Sequence, residues 1–167
     1  MKRIMHILIA VIMILVMTMN AWAQTEMYDG VEVEEATIIN MKVLDDEVEV
    51  IGVTRGRYLS SVELDLTDEG FGVAGIEAVV LCHEAMQKIR LRLTLEKYNG
   101  SSWVSINEKE FLWTEDQVEG DLSKALVSYK VGALLSGQYR LRANVAVRAL
   151  TLQSEAMTTR TEALTFR

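Results

Sequence analysis

The chain has no proline and a single cysteine, Cys82. One thiol cannot build an internal disulfide framework, so stability has to come from buried apolar surface and a hydrogen-bonded sheet. With no proline there is no Pro-rich linker to divide the chain. Histidine is almost as scarce. His6 lies in a segment expected to be removed, which leaves His83 without a second imidazole and excludes a His-rich metal site. A Gly-rich phosphate loop, a His-Glu-x-x-His helix and a Gly-x-Ser-x-Gly elbow are all missing, and with them the signatures of the chemistries they serve. No internal repeat is visible, and no cofactor is expected.

What is present begins at the N-terminus. Lys2 and Arg3 precede an apolar run from Ile4 to Met17, and the segment closes on Ala21-Trp22-Ala23. This order matches a secretory signal peptide, with Ala21 and Ala23 as the small residues of its cleavage site. The run is shorter than the roughly 20 residues that a spanning helix needs. The expectation is therefore a signal helix over 1–23 and a mature chain from Gln24 to Arg167, secreted and associated with the cell envelope. Membrane contact is expected only if the signal segment stays uncleaved. No cysteine follows the run, so lipid anchoring has no support.

Charge is uneven along the rest. Residues 24–56 carry nine acidic side chains against Lys42 and Arg55, while residues 57–167 are nearly balanced. The first stretch reads as an acidic, flexible arm, and its charge argues against nucleic acid as a partner. A second reading is an added edge strand, because Val48, Val50 and Val53 stand among polar neighbours.

From Tyr58 onward the hydrophobic period is two. Val62, Leu64 and Leu66 share a face, as do Ala74, Ile76, Ala78, Val80 and Cys82, and then Ile89, Leu91, Leu93 and Leu95. Asn99-Gly100 sits in a hairpin turn between Tyr98 and Trp103. Further strands are expected over Trp103 to Trp113, Lys124 to Val131, Gln138 to Arg148 and near Thr158 to Phe166. Ala149 to Met157 is expected to connect the last two. The fold class is all-β, an antiparallel β-sandwich of about seven strands over residues 57–167.

Leu135-Ser136-Gly137-Gln138-Tyr139-Arg140-Leu141 resembles the start of strand F in fibronectin type III and immunoglobulin-like sandwiches. There a tyrosine after a Gly-containing corner caps the turn with its hydroxyl. The resemblance gives Gly137 and Tyr139 structural roles. Leu141 stands where antibody-type domains carry a cysteine, which favours the fibronectin-III-like variant and leaves Cys82 without a partner. Arg55-Gly56-Arg57-Tyr58-Leu59-Ser60-Ser61, Val80-Leu81-Cys82-His83, Tyr98-Asn99-Gly100-Ser101-Ser102-Trp103 and Gln138-Tyr139-Arg140-Leu141-Arg142 together resemble a family of small secreted proteins from Gram-positive anaerobes. That resemblance covers roughly residues 55–167 and implies export and fold, with no catalytic residues to carry over.

Three constellations could carry chemistry. Cys82-His83-Glu84 joins nucleophile, base and acid, but neighbours on a strand point to opposite faces; Cys82 reads as a buried, inert thiol. Arg90 and Arg92 on one strand and Arg140 and Arg142 on another lie opposite the apolar faces. They form a candidate basic ladder for carboxylate, sulfate or phosphate groups, unless Glu96, Glu108, Glu110 or Glu155 pairs with them. Tyr98 and Trp103 flank the hairpin and offer flat surfaces for a sugar ring. Glu115, Asp116, Glu119 and Asp121 lack the spacing of a Ca²⁺ loop. The expected function is a non-catalytic binding module whose partner is a cell-envelope glycan or a surface protein, of no defined oligomeric state. The alternatives are an extracellular hydrolase using paired carboxylates and a self-assembling subunit joined through an exposed strand edge.

Overall fold

Alternation of apolar and polar side chains resolves into twelve strands and one short 3-10 turn. The computed structural model describes residues 26–54 and 56–167. The expected signal helix, with Ala21 and Ala23, lies outside the described residues. The strands are β1 (Met27–Tyr28), β2 (Val31–Glu35), β3 (Thr37–Val43), β4 (Glu47–Val53), β5 (Leu59–Asp68) and β6 (Ala74–Cys82). They continue as β7 (Met86–Tyr98), β8 (Trp103–Thr114), β9 (Lys124–Val131), β10 (Gly137–Ala149), β11 (Ser154–Arg160) and β12 (Leu164–Phe166).

Two sheets form. One has the order β3-β4-β5-β6-β9; the other runs β1-β2-β11-β10-β7-β8, with β12 also paired to β10. Every pairing is antiparallel except β2 on β11. The inward faces of both sheets contribute to one apolar core, in which Leu64, Leu66, Ile76, Ile89, Leu91, Leu93, Leu95 and Leu141 are fully buried. Each such side chain contributes about 1.5–3 kcal/mol of burial free energy. This is a sandwich-like all-β fold.

The strand count exceeds the expected seven for two reasons. The acidic stretch read as a flexible arm supplies β1 to β4, and its Val48 and Val50 have no exposure at all. The expected last strand is broken in two, and its first half starts at Ser154, inside the stretch read as a connection. At the break, Thr161 donates its backbone N–H to the Leu141 carbonyl and accepts the Leu141 N–H on its hydroxyl, both at 2.9 Å.

Two local devices fix the architecture. Tyr139 donates its hydroxyl to the carbonyl of Leu135, four residues back, and its ring meets Phe166 edge-on at 4.9 Å. The second device joins the sheets. Glu155 on β11 accepts backbone N–H groups from Arg57 (2.6 Å), Tyr58 (2.9 Å) and Leu59 (3.0 Å) at the start of β5. Gly56 leaves room beside it: a Cβ there would lie 2.4 Å from the Glu155 Oε2, and the carboxylate would have to move.

Charge-assisted hydrogen bonds of this kind contribute about 1.5–3 kcal/mol each, and they need an acceptor. Glu155→Gln turns one end of that acceptor into a donor facing N–H groups. The expected result is a loss of about 2 kcal/mol in urea unfolding; an unchanged midpoint would show that the three contacts are not what ties β5 to β11.

Candidate functional site

The arginine ladder exists, but it is covered. β7 and β10 are neighbours, and their register sets Arg140 opposite Glu96, Arg142 opposite Thr94 and Asn144 opposite Arg92. Across this outer face runs the beginning of the acidic stretch. Asp29 pairs with Arg90 at 3.0 Å and also with Lys88. Glu26 accepts from Asn144 at 2.7 Å and lies 3.9 Å from Arg142. Tyr28 is buried under Arg92, whose guanidinium stands 4.9 Å from the ring centre, and donates its hydroxyl to Glu110 at 2.9 Å. Burial, then the Glu110 carboxylate, pushes the Tyr28 hydroxyl well above its ordinary value.

The remaining contacts come from within the sheet. Arg92 meets Glu108 and Glu110 at 3.7 and 3.5 Å, and Glu96 takes Arg140 at 2.6 Å and Arg142 at 3.4 Å. Glu155, considered as a further partner, is held by backbone instead. The ladder expected to face an anionic ligand is therefore neutralised within the chain. What sequence reasoning missed is that Glu26 and Asp29 of the acidic stretch serve as counter-ions to the basic strands, beside the carboxylates of the sheet itself.

The hairpin aromatics are also partly used. Tyr98 and Trp103 face each other across the strand pair at 5.4 Å with planes tilted by 48°, and Arg140 covers the Trp103 ring at 4.4 Å. They form a clamp rather than a flat platform. The Asn99 side chain accepts the backbone N–H groups of Ser101 and Ser102, and Gly100 takes the positive φ of 98°. Cys82 sits at the end of β6, half-buried against the core, while His83 and Glu84 are exposed in the bend beyond it. Burial, reinforced by Glu155, pushes the Cys82 thiol up to about 12. Among the described residues, no three His, Cys, Asp or Glu side chains converge to hold a metal ion.

The opposite flank of the molecule is different. On the outer face of the five-stranded sheet, one rung reads Lys42, Glu49, Asp65, Glu77, Ser128 across β3, β4, β5, β6 and β9. Glu47 and Glu63 stand beside it on the same face. Lys42 pairs with Glu47, and Lys130 with Glu69; Glu49, Glu63, Asp65 and Glu77 have no ion pair among the described residues. Like charges directly opposite one another on a sheet are unfavourable. The Asp65 carboxyl is raised above its ordinary range by burial first, then by Glu47, Glu49 and Glu77, with the Thr67 hydroxyl opposing.

This face ends at β3. All seven residues of β3 are exposed, and no described strand pairs with its outer edge. Met41 and Val43 are opposite the buried Val50 and Val48, and Ile38 is opposite the buried Gly52. Their side chains thus point to the core side of the sheet, yet they remain 43%, 54% and 39% exposed. Ile39, at a bulge, is 63% exposed, and Leu44 just beyond is 47% exposed. The sequence signal was there: an apolar cluster of Ile38, Ile39, Met41, Val43 and Leu44 is out of place in a solvated spacer.

No protein-family model matches the chain, and no curated protein is found to match it.

Two expectations follow from the ionisable groups. A carboxyl whose pKa is higher folded than unfolded favours the fold only while protonated. That contribution is complete below the ordinary value of 3.8 and lost as pH rises through the folded value. Asp65→Asn should therefore gain about 0.5–1 kcal/mol near pH 7 and nothing near pH 3, read from urea unfolding across pH. For Cys82, alkylation by iodoacetamide near neutral pH should run at least about tenfold slower in the folded chain than in the unfolded one. Equal rates would mean an accessible thiolate.

Proposed function

We propose that the chain is an exported, non-catalytic binding module built on a fibronectin-III-like sandwich, and that it binds a protein partner by strand addition at β3. One observation carries the reading: β3 offers seven residues of strand edge with no partner among the described residues, together with the exposed apolar side chains of Ile38, Ile39, Met41 and Val43. Natural sheets blunt such edges with charge, proline or a covering loop, because an open edge pairs with whatever strand it meets. Here only Lys42 blunts it, and its ammonium group is drawn back to Glu47. Peptide recognition by strand addition uses this combination, with main-chain hydrogen bonds for affinity and alternate side chains for choice.

The sandwich type is supported by strand order. β5, β6 and β9 pair in the sequence of strands A, B and E, while β7, β10 and β11 follow C, F and G, with β8 added beside β7. The Tyr139 corner stands at the start of the F-like strand. Export rests on the N-terminal pattern of Lys2, Arg3, the apolar run and Ala21-Trp22-Ala23. The resemblance to small secreted proteins of Gram-positive anaerobes agrees with it. A glycan-binding role is less favoured, since Arg140 already occupies a face of Trp103. A carboxylate hydrolase is less favoured too: Glu49, Glu63, Asp65 and Glu77 line a shallow hollow, but all stand on β4, β5 and β6 of one sheet and none faces another from an opposite wall.

The test is a backbone amide titration by NMR with a neutral eight-residue peptide of alternating Thr and Val. Strand addition should shift the amides of 37–43 and slow their hydrogen exchange. If those amides stay still while cell-wall oligosaccharides move Tyr98 and Trp103, the site is the hairpin and the reading is wrong.

A further inference from the structure

We infer that the occupant of the β3 edge is an extended segment in which apolar residues alternate with lysine or arginine. This rests on the strand-addition reading and specifies its partner. A strand laid beside β3 lies about 4.8 Å beyond it, and its side chains alternate between the two faces of the sheet. On the core side they meet Ile38, Met41 and Val43, so those positions call for apolar residues. On the outer side they stand beside Thr37, Asn40 and Lys42 and look toward β4. Glu49 stands on β4, two strand spacings or roughly 10 Å from the added strand; the long stem of a lysine or arginine placed over Asn40 spans the first of these and brings its cation within reach of the Glu49 carboxylate from the free side.

Behind Glu49 stand Asp65, Glu77 and Glu63, which lack ion pairs among the described residues. A cationic strand relieves the repulsion that these groups impose on one another.

The same charges argue against a second copy of this chain. Joining β3 to β3 would merge two acidic faces, with ten carboxylates on one continuous sheet, in a chain whose net charge is already −7. The N-terminal flank gives no such preference, because its arginines and carboxylates cancel.

Three fluorescent, end-capped eight-residue peptides test this on the full chain: alternating Lys-Val, Thr-Val and Glu-Val, read by anisotropy across a salt series. The Lys-Val peptide should bind at least about tenfold more tightly than Thr-Val, outcompete Glu-Val by a wider margin still at low salt, and lose both advantages as salt rises. Replacing Glu49, Asp65 and Glu77 by Gln, Asn and Gln should bring Lys-Val down to the Thr-Val affinity. Met41→Lys, an inward charge on an exposed edge, should remove binding of all three with the circular dichroism spectrum unchanged.

If Thr-Val binds as well as Lys-Val, strand addition stands and the charge preference falls. If no peptide binds or moves the 37–43 amides, both fall. A dimer in sedimentation velocity that Met41→Lys returns to monomer would make a second copy the occupant and overturn the inference.

Discussion

The interaction on which the surface of this molecule depends is the closure of its acidic N-terminal stretch over its arginine ladder. Asp29 between Lys88 and Arg90, Glu26 between Arg142 and Asn144, and Tyr28 under Arg92 pin residues 26–33 to the outer face of the seven-stranded sheet. An isolated exposed ion pair would contribute little, about 0–1 kcal/mol. These are not isolated. Several guanidinium groups share carboxylates with one another, and the buried Tyr28 ring packs with Ala146 and Ala156 in a small apolar cluster beneath the charges. That cover explains why β10 is buried on both faces from Ala143 to Val147, where a solvated outer face would alternate.

Closure also decides where the chain goes next. With β2 held parallel to β11, the Ala36 N–H reaches the Thr158 carbonyl at 2.9 Å, and the chain crosses there from one sheet to the other. The crossing is tight. A Cβ on Gly52 would come within 2.8 Å of the Ala36 Cβ and 2.7 Å of the Thr159 hydroxyl. The segment that follows can only continue as β3 and β4 on the flank of the five-stranded sheet. There the core-side residues Ile38, Met41 and Val43 remain substantially exposed. The open apolar edge is thus a consequence of how the acidic stretch is anchored.

Much of this was legible in the sequence, and the failures have a common cause. Period-two alternation located β5, β6 and β7 closely, because each of these strands buries one face against the other sheet and the pattern records that burial; β8, which buries no residue, was found from the hairpin turn that precedes it. Arg90, Arg92, Arg140 and Arg142 were visible as an outward set. What alternation does not record is register and neighbourhood. That Glu49, Asp65 and Glu77 fall on one rung follows only from the pairing of β4, β5 and β6. The acidic stretch was read as a spacer because composition was weighed over its local pattern. Its excess charge marks a need for counter-ions, and the strands of 88–92 and 140–142 held them in the same chain.

The Arg55-to-Ser61 motif shows the same limit from the other side. Its residues stood out only through a resemblance, and what they do is seen in the fold: the backbone N–H groups of Arg57, Tyr58 and Leu59 converge on Glu155, a carboxylate almost a hundred residues away. Tyr58 extends the tie by reaching Thr151 and Gln153 in the β10–β11 turn with its hydroxyl. Anion recognition does occur in this protein, at backbone groups and at arginines, and in both places the anion comes from its own chain. On the outer face of the five-stranded sheet, beside its open edge, Glu49, Glu63, Asp65 and Glu77 have no ion pair among the described residues. That crowding of four carboxylates is an electrostatic cost that a partner can relieve.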